Sequence, residues 1–371
     1  MTPTASAPTA PLNAPPVPLR ANLRRRRLRH LLTLAALTCV LVVLVVVSAG
    51  TGMVFVPPET TARVVADKLL PGLVEPTWTA VEAQIVWEYR LPRTLLAAIV
   101  GAGLALVGTT LQAVVRNPLA DPWVLGVSSG AGLGAVASLV VAGSWFAVVP
   151  LPVAAFLGAT CATALLFGLA RRQGRLTPLR LVLSGVALSY LFSAATNYLV
   201  LTTDAERVFG VLFFLLGSVA SAGWNDLAVS LVVVLAGLVH LTARVRALNA
   251  LLAGDEAATS LGIHLDRLRG ELLLLTSLMT GVMVAVSGGI GFVGLVIPHL
   301  SRLFVGADHR RLIPVAALVG AIFLVLVDLV ARTVAAPVEL PIGVVTAAIG
   351  APFFLWLMRR RNAERRGGLS R

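Results

Sequence analysis

Residues 291–332 read GFVGLVIPHLSRLFVGADHRRLIPVAALVGAIFLVLVDLVAR, two apolar runs joined by a polar, basic turn at Asp308–Arg311. About 20 apolar residues are needed to traverse the ~30 Å hydrocarbon layer of a bilayer, so repeated runs of this kind mark a chain that crosses a membrane many times. The pattern continues in both directions. Ten spans are read, at Leu28–Val47, Thr94–Val115, Trp123–Val141, Leu151–Ala170, Leu181–Leu201, Leu227–Thr242, Glu271–Ser287, Gly291–Phe304, Leu312–Val330 and Ile342–Met358. Composition agrees, because 57% hydrophobic and 13% charged residues with a mean hydropathy of +0.90 exceed what a soluble core of 371 residues requires. The fold class is an all-α polytopic membrane protein. Residues 28–360 form its membrane domain, flanked by a Pro/Ala/Thr-rich, basic tail at 1–27, expected to be disordered, and a C-terminal tail at 361–371.

The net charge of +13 does not indicate nucleic-acid binding. The arginines fall in short clusters between spans, where the positive-inside rule puts cytoplasmic loops. With a cytoplasmic N-terminus, that rule places Arg116, the 171–175 loop, the 244–269 loop, the 308–311 turn and the C-terminal tail on the cytoplasmic face. Arg90, Arg93 and Arg332 break the rule and fall at the outer face. Interfacial snorkelling is the ordinary reading of such arginines.

Little in the chain points to chemistry. Lys68 is the single lysine and lacks the G-x-x-x-x-G-K-[ST] context of a P-loop, so the chain binds no nucleotide in that way. The five histidines are scattered without metal-ligand spacing, and Cys39 and Cys161 both sit in apolar runs, so no catalytic residue, metal site or disulfide is expected. Asp328 is the one carboxylate deep in an apolar run. Proton or ion coupling is one reading of it; an i, i+4 pair with Arg332 is the other, and the better supported. The 248–269 loop reads as a short helix capped by Asp255, with Glu256 in its first turn and Gly262 ending it in a left-handed conformation.

Four blocks together carry a resemblance: YRLPRTLLAAIVGAGLALVGTTLQAVVRNPLADPWVLGVSSGAG at 89–132, RLVLSGVALS at 180–189, LNALLAGDEAATSLG at 248–262, and 291–356, which ends in ELPIGVVTAAIGAPFFLW. They are similar to the permease subunits of ABC importers for ferric siderophores, haem and cobalamin. That resemblance implies a type II importer fold of ten helices and a bacterial cytoplasmic-membrane location with both termini inside. It implies a second permease subunit, identical or paralogous, and two cytoplasmic ATPase subunits that carry ATP and Mg. It also implies an external substrate-binding protein, and no cofactor in this chain. Leu248, Asp255, Glu256, Ala258, Leu261 and Gly262 resemble the coupling helices that seat in the ATPase. Asn117, Leu119, Thr177, Pro178 and Leu179 match two segments that narrow the path at its cytoplasmic end; Pro178 and Leu179 depart from the small polar residues of relatives. Arg90, Arg93 and Arg332 match positions that receive carboxylates of the binding protein. A ferric siderophore is the expected cargo, with haem or cobalamin also within the family. The rival is an ion-coupled secondary transporter using Asp328, and composition alone would also suit a membrane receptor.

Overall fold

The computed structural model describes residues 19–72, 74–140, 149–172, 175–176 and 178–367. Its helices are α1 (Leu19–Gly50), α2 (Pro58–Leu69), α3 (Ala80–Gln84), α4 (Leu91–Val115), α5 (Val127–Val140), α6 (Leu151–Ala170), α7 (Pro178–Leu201) and α8 (Ala205–Leu216). They continue with α9 (Trp224–Ala243), α10 (Val245–Ala253), α11 (Asp255–Ser260), α12 (Leu265–Ser287), α13 (Val293–Val305), α14 (His309–Thr333) and α15 (Ile342–Gly367). A π-helical turn at Ile85–Arg90 joins α3 to α4, and a pair of two-residue strands, β1 (Arg171–Arg172) and β2 (Arg175–Leu176), closes the turn after α6.

Each of the ten expected spans contains a helix, but the third begins at Val127, after a turn through Trp123, and the eighth at Val293; Val141 lies outside the described residues. α1, α4, α6, α7, α9, α12 and α14 each carry a stretch long and apolar enough to cross a membrane, while α5, α13 and the Ile342–Leu357 part of α15 are shorter apolar helices. The first helix begins at Leu19, within the expected tail, and the last runs to Gly367, within the expected C-terminal tail. The remainder of both tails, and Thr177, lie outside the described residues.

α4 is the axis of the bundle. It is buried almost all round, as a helix with no polar face must be, and it packs on α9, α12, α13 and α14. Small residues make this packing close. Gly101 meets Gly320 of α14, and Gly108 meets Gly294 of α13, so tightly that a Cβ on either α4 glycine would strike partner backbone. Gly130 and Gly134 of α5 lie against α6 at Gly158 in the same way. In lipid there is no hydrophobic gain from helix association, and close backbone approach supplies the dispersion energy instead. Large apolar side chains point outward, among them Leu32, Val42 and Val43 of α1 and Leu183 and Leu191 of α7, which suits a hydrocarbon solvent.

Candidate functional site

The two ends of α4 organise two polar clusters. At its C-terminus, Arg116 caps the helix with φ 51 and ψ 37, a left-handed conformation unusual for a non-glycine residue. The chain then turns through Asn117, whose Oδ1 accepts from the Leu119 N–H at 3.0 Å, and through Asp121, whose Oδ1 accepts from the Trp123 N–H at 2.9 Å. These side-chain turns satisfy backbone that Pro118 and Pro122 prevent from continuing as helix. One turn back in α4, Gln112 donates to the Gly294 carbonyl at 3.2 Å and accepts from Arg302 Nη1 at 2.6 Å, fixing α4 to α13. A cavity of about 540 Å³ opens here, walled by Gln112, Arg116, Asn117, Pro118, Arg302 and Trp356 among others. Of the other expected gate residues, neither Leu119 nor Leu179 is among its described walls; Pro178 opens α7, and Leu179 beside it is exposed.

The α10–α11 elbow lies beside this turn. Gly254, with φ 110, separates the two helices, and Gly262, with φ 76, follows α11 as expected. The roles of the candidate coupling residues divide. Leu248 and Ala258 are fully buried and anchor the elbow to the bundle, so they offer nothing to a partner. Leu261 is 72% exposed, and Glu256 and Gly262 are exposed beside it. Asp255 is not the expected cap, because it is the first helical residue and Gly254 holds the cap position. Its carboxylate turns inward instead, to Arg269 Nη2 at 2.8 Å and Arg116 Nη2 at 3.7 Å. On the other flank, Asn249 donates to Asp308 Oδ1 at 2.8 Å and accepts from the His309 backbone N–H at 2.9 Å, joining α10 to the start of α14. Partial burial alone would raise the Asp308 carboxyl. The hydrogen bonds from Asn249 and the Arg310 N–H, with the Arg311 charge, outweigh that and hold it below the ordinary carboxylate range.

At the opposite end the three arginines expected to face a partner are committed within the chain. Arg93 pairs with Asp328 Oδ1 and with Glu339 Oε1, each at 2.9 Å, and only 11% of its side chain is exposed. Arg332 is 5% exposed; its Nη1 donates to the Thr51 carbonyl at 3.0 Å, and its Nη2 to the Ser48 carbonyl at 2.7 Å and to Ser48 Oγ. Arg90 donates to the Gly50 carbonyl at 2.9 Å and to the Val54 carbonyl at 2.6 Å. Helix C-termini leave their last carbonyls without intrahelical donors, and α1 has no basic residue of its own in its last turn. Arg90 and Arg332 supply those donors from α4's approach and from α14. The expected Asp328–Arg332 pair is present at 3.5 Å, but Arg93 is the nearer partner of that buried carboxylate.

Several of these contacts escape a reading of the sequence: Gln112–Arg302, Asn249–Asp308 and Arg93–Glu339 each join residues far apart in the chain, and Arg269–Asp255, 14 residues apart, matches no helical spacing. The only local signal was chemical, a buried-type amide or charge within an apolar run. Among the described residues no group of His, Cys, Asp and Glu is placed to hold a metal ion.

The comparisons with known proteins cover most of the chain. The chain is 45% identical over 280 residues to the cobalamin import system permease protein BtuC of Halobacterium salinarum, covering 76% of this chain and 74% of that one. It is 42% identical over 290 residues to the hemin transport system permease protein HmuU of Yersinia pestis, covering 76% and 85%. It is 43% identical over 276 residues to the Fe(3+) dicitrate transport system permease protein FecD of Escherichia coli, covering 74% and 85%. A solved structure described as an inward-facing metal-chelate type ABC transporter superposes with a TM-score of 0.76 at 36% identity, over 88% of this chain and 98% of that one. The sequence model of the FecCD transport family matches residues 40–360, which span every apolar helix but the start of the first. With ten such helices, the Arg116 turn and the α10–α11 elbow all falling inside that match, the chain belongs to the FecCD transport family and is a multi-pass membrane permease of the ABC importer type.

Proposed function

We propose that this permease forms the membrane path of an ATP-driven importer that takes an iron chelate, a ferric siderophore in the first instance, from an external binding protein into the cytoplasm. Haem and cobalamin are the cargoes named for two of the relatives, and they stand as the other outcomes. In this reading the chain works in a bacterial cytoplasmic membrane with both termini inside. It pairs with a second permease subunit and with two ATPase subunits, which alone bind ATP and Mg. No chemistry occurs in this chain; alternating access follows from ATPase closure acting on α10–α11, which requires each state to bind its partners differently.

The observation that carries the reading is the form of the elbow: Glu256 of α11 and the Leu261–Gly262 end that follows it are exposed, while Leu248 of α10 and Ala258 of α11 are buried against the bundle. A lever needs a free face and a rigid root, and this element has both. Asp328, the residue on which a secondary transporter would depend, is paired with two arginines, and that supports a structural role. At the outer end a binding protein's carboxylates would meet the half-buried Arg90 first, and would have to displace internal partners to reach Arg93 and Arg332. The half-exposed Glu339 already holds one side of Arg93. The test is co-purification. Wild-type permease should retain its ATPase subunits through detergent purification and stimulate their hydrolysis, whereas Leu261→Asp, which alters only the free face, should release them. Retention of the ATPase by that variant would remove the coupling assignment.

A further inference from the structure

The contact between Asp255 and Arg116 joins the two halves of the cytoplasmic end in a way that the proposed function does not use. Arg116 stands at the end of α4, its backbone opens the turn that carries Asn117 and Pro118, and its side chain lines the 540 Å³ cavity with them. The same guanidinium reaches across to Asp255, the first residue of α11, and lies beside Gly254, where a Cβ would sit 3.6 Å from Arg116 Nη1. Leu252 of α10 also lines the cavity, but Arg116 is the side chain that joins α11 to the turn itself. The turn is held on two sides, by Gln112 to α13 through Arg302, and by Arg116 to α11 through Asp255.

These two attachments differ in kind. Gln112 is buried, and its bond to Arg302 is short at 2.6 Å, so it is a fixed root. The Arg116–Asp255 pair is separated by 3.7 Å, and its side chains are 36% and 35% exposed, with the carboxylate already held by the buried Arg269. Such a pair can be made and broken without cost to the core. Arg116 also holds a left-handed backbone conformation, which persists in a non-glycine residue only where its surroundings impose it. Gly254, at φ 110, supplies a hinge on the facing side.

We infer that Arg116 is a positioning residue that ties displacement of α11 to the Asn117–Pro118 wall of the cavity, so that the wall follows α11 closely while the Arg116–Asp255 pair is closed and loosely when it is open. This rests on the proposed import function and names the link within it. Motion of the elbow then pulls the turn through Asp255, while Gln112 holds its other end to α13.

The test uses the whole complex of permease, ATPase and binding protein in proteoliposomes, with uptake and ATP hydrolysis measured together. Arg116→Gln removes the charge and leaves Asp255 paired with Arg269. It should leave assembly and stimulated hydrolysis within about twofold of wild type, but lower uptake per ATP by about fivefold or more, the smallest usual effect of a coupling between sites. Arg116→Lys, which keeps the cation, should recover much of that ratio. A structural role alone would reduce uptake and hydrolysis together. An unchanged uptake-to-hydrolysis ratio in Arg116→Gln would overturn the inference, whereas absence of ATP-dependent uptake in the wild-type complex would instead reject the import reading beneath it.

Discussion

Asp328 shows how a charge is kept in an apolar helix. It is fully buried on α14, with Arg93 at 2.9 Å and Arg332 one turn on at 3.5 Å, and the two arginines carry its environment to Glu339 and to the end of α1. Removing one member of a buried ionic group leaves the others uncompensated, so Asp328→Asn should cost about 3 kcal/mol of stability in detergent unfolding. Uptake by the folded fraction of that variant should persist, because the carboxylate is structural; its loss from well-folded protein would return Asp328 to a transport role. Asp308 yields a pH-dependent prediction. Its depressed carboxyl stabilises the fold above the unfolded value near 4, and that contribution disappears as pH falls through the folded-state value. Asp308 also caps α14 by accepting from the Arg310 N–H at 3.0 Å, so Asp308→Ala should cost about 1 kcal/mol at neutral pH. The gap from wild type should narrow in unfolding curves below about pH 4, and a gap that is constant down to pH 3 would contradict the assignment.

Among the elements, α10–α11 separates what is anchored from what is offered. Gly262 follows α11 at φ 76 with open space where a Cβ would be, so Gly262→Val strains the backbone without a clash, by about 1–2 kcal/mol. It should alter the exposed tip and weaken ATPase stimulation while the permease stays folded by circular dichroism. Ala258→Leu, at a fully buried position, should instead destabilise the elbow itself, by about 1–3 kcal/mol. Seven of the ten spans are legible from run length, the shorter α5, α13 and α15 segments from their apolar composition, and Gly262 because a glycine after a short helix usually ends it. The short elements α2, α3 and α8 were not assigned from the sequence, since their lengths of 12, 5 and 12 residues leave no membrane-length signal. The Asp328–Arg332 pair could be read from i, i+4 spacing. Arg93 could not, because it meets Asp328 across 235 residues of chain, and so its free charge at the outer face was overestimated. Asp255 was assigned as a cap on composition; the buried Arg269, 14 residues on, drew it inward.

At the scale of the whole molecule, α4 is a shaft between two polar ends, with the arginine–carboxylate cluster at its start and the Arg116 turn at its finish. Reversal of Arg90, Arg93 and Arg332 to Glu together should abolish binding-protein association. It should also loosen α1, because the Ser48, Gly50 and Thr51 carbonyls lose their donors, so it needs a fold control. Arg90→Gln alone keeps the Arg332 bonds to α1 and gives up those to Gly50 and Val54, and its effect on association rate should be larger at low salt, where the Debye length is longer. In the proposed function, nucleotide hydrolysis by a partner drives import through this chain. Its most direct test is uptake of a ferric siderophore into proteoliposomes holding the permease, its ATPase and its binding protein. Uptake should require ATP on the ATPase side of the membrane and be unchanged when an uncoupler collapses the proton gradient; uptake driven by a pH gradient without nucleotide would overturn the import reading.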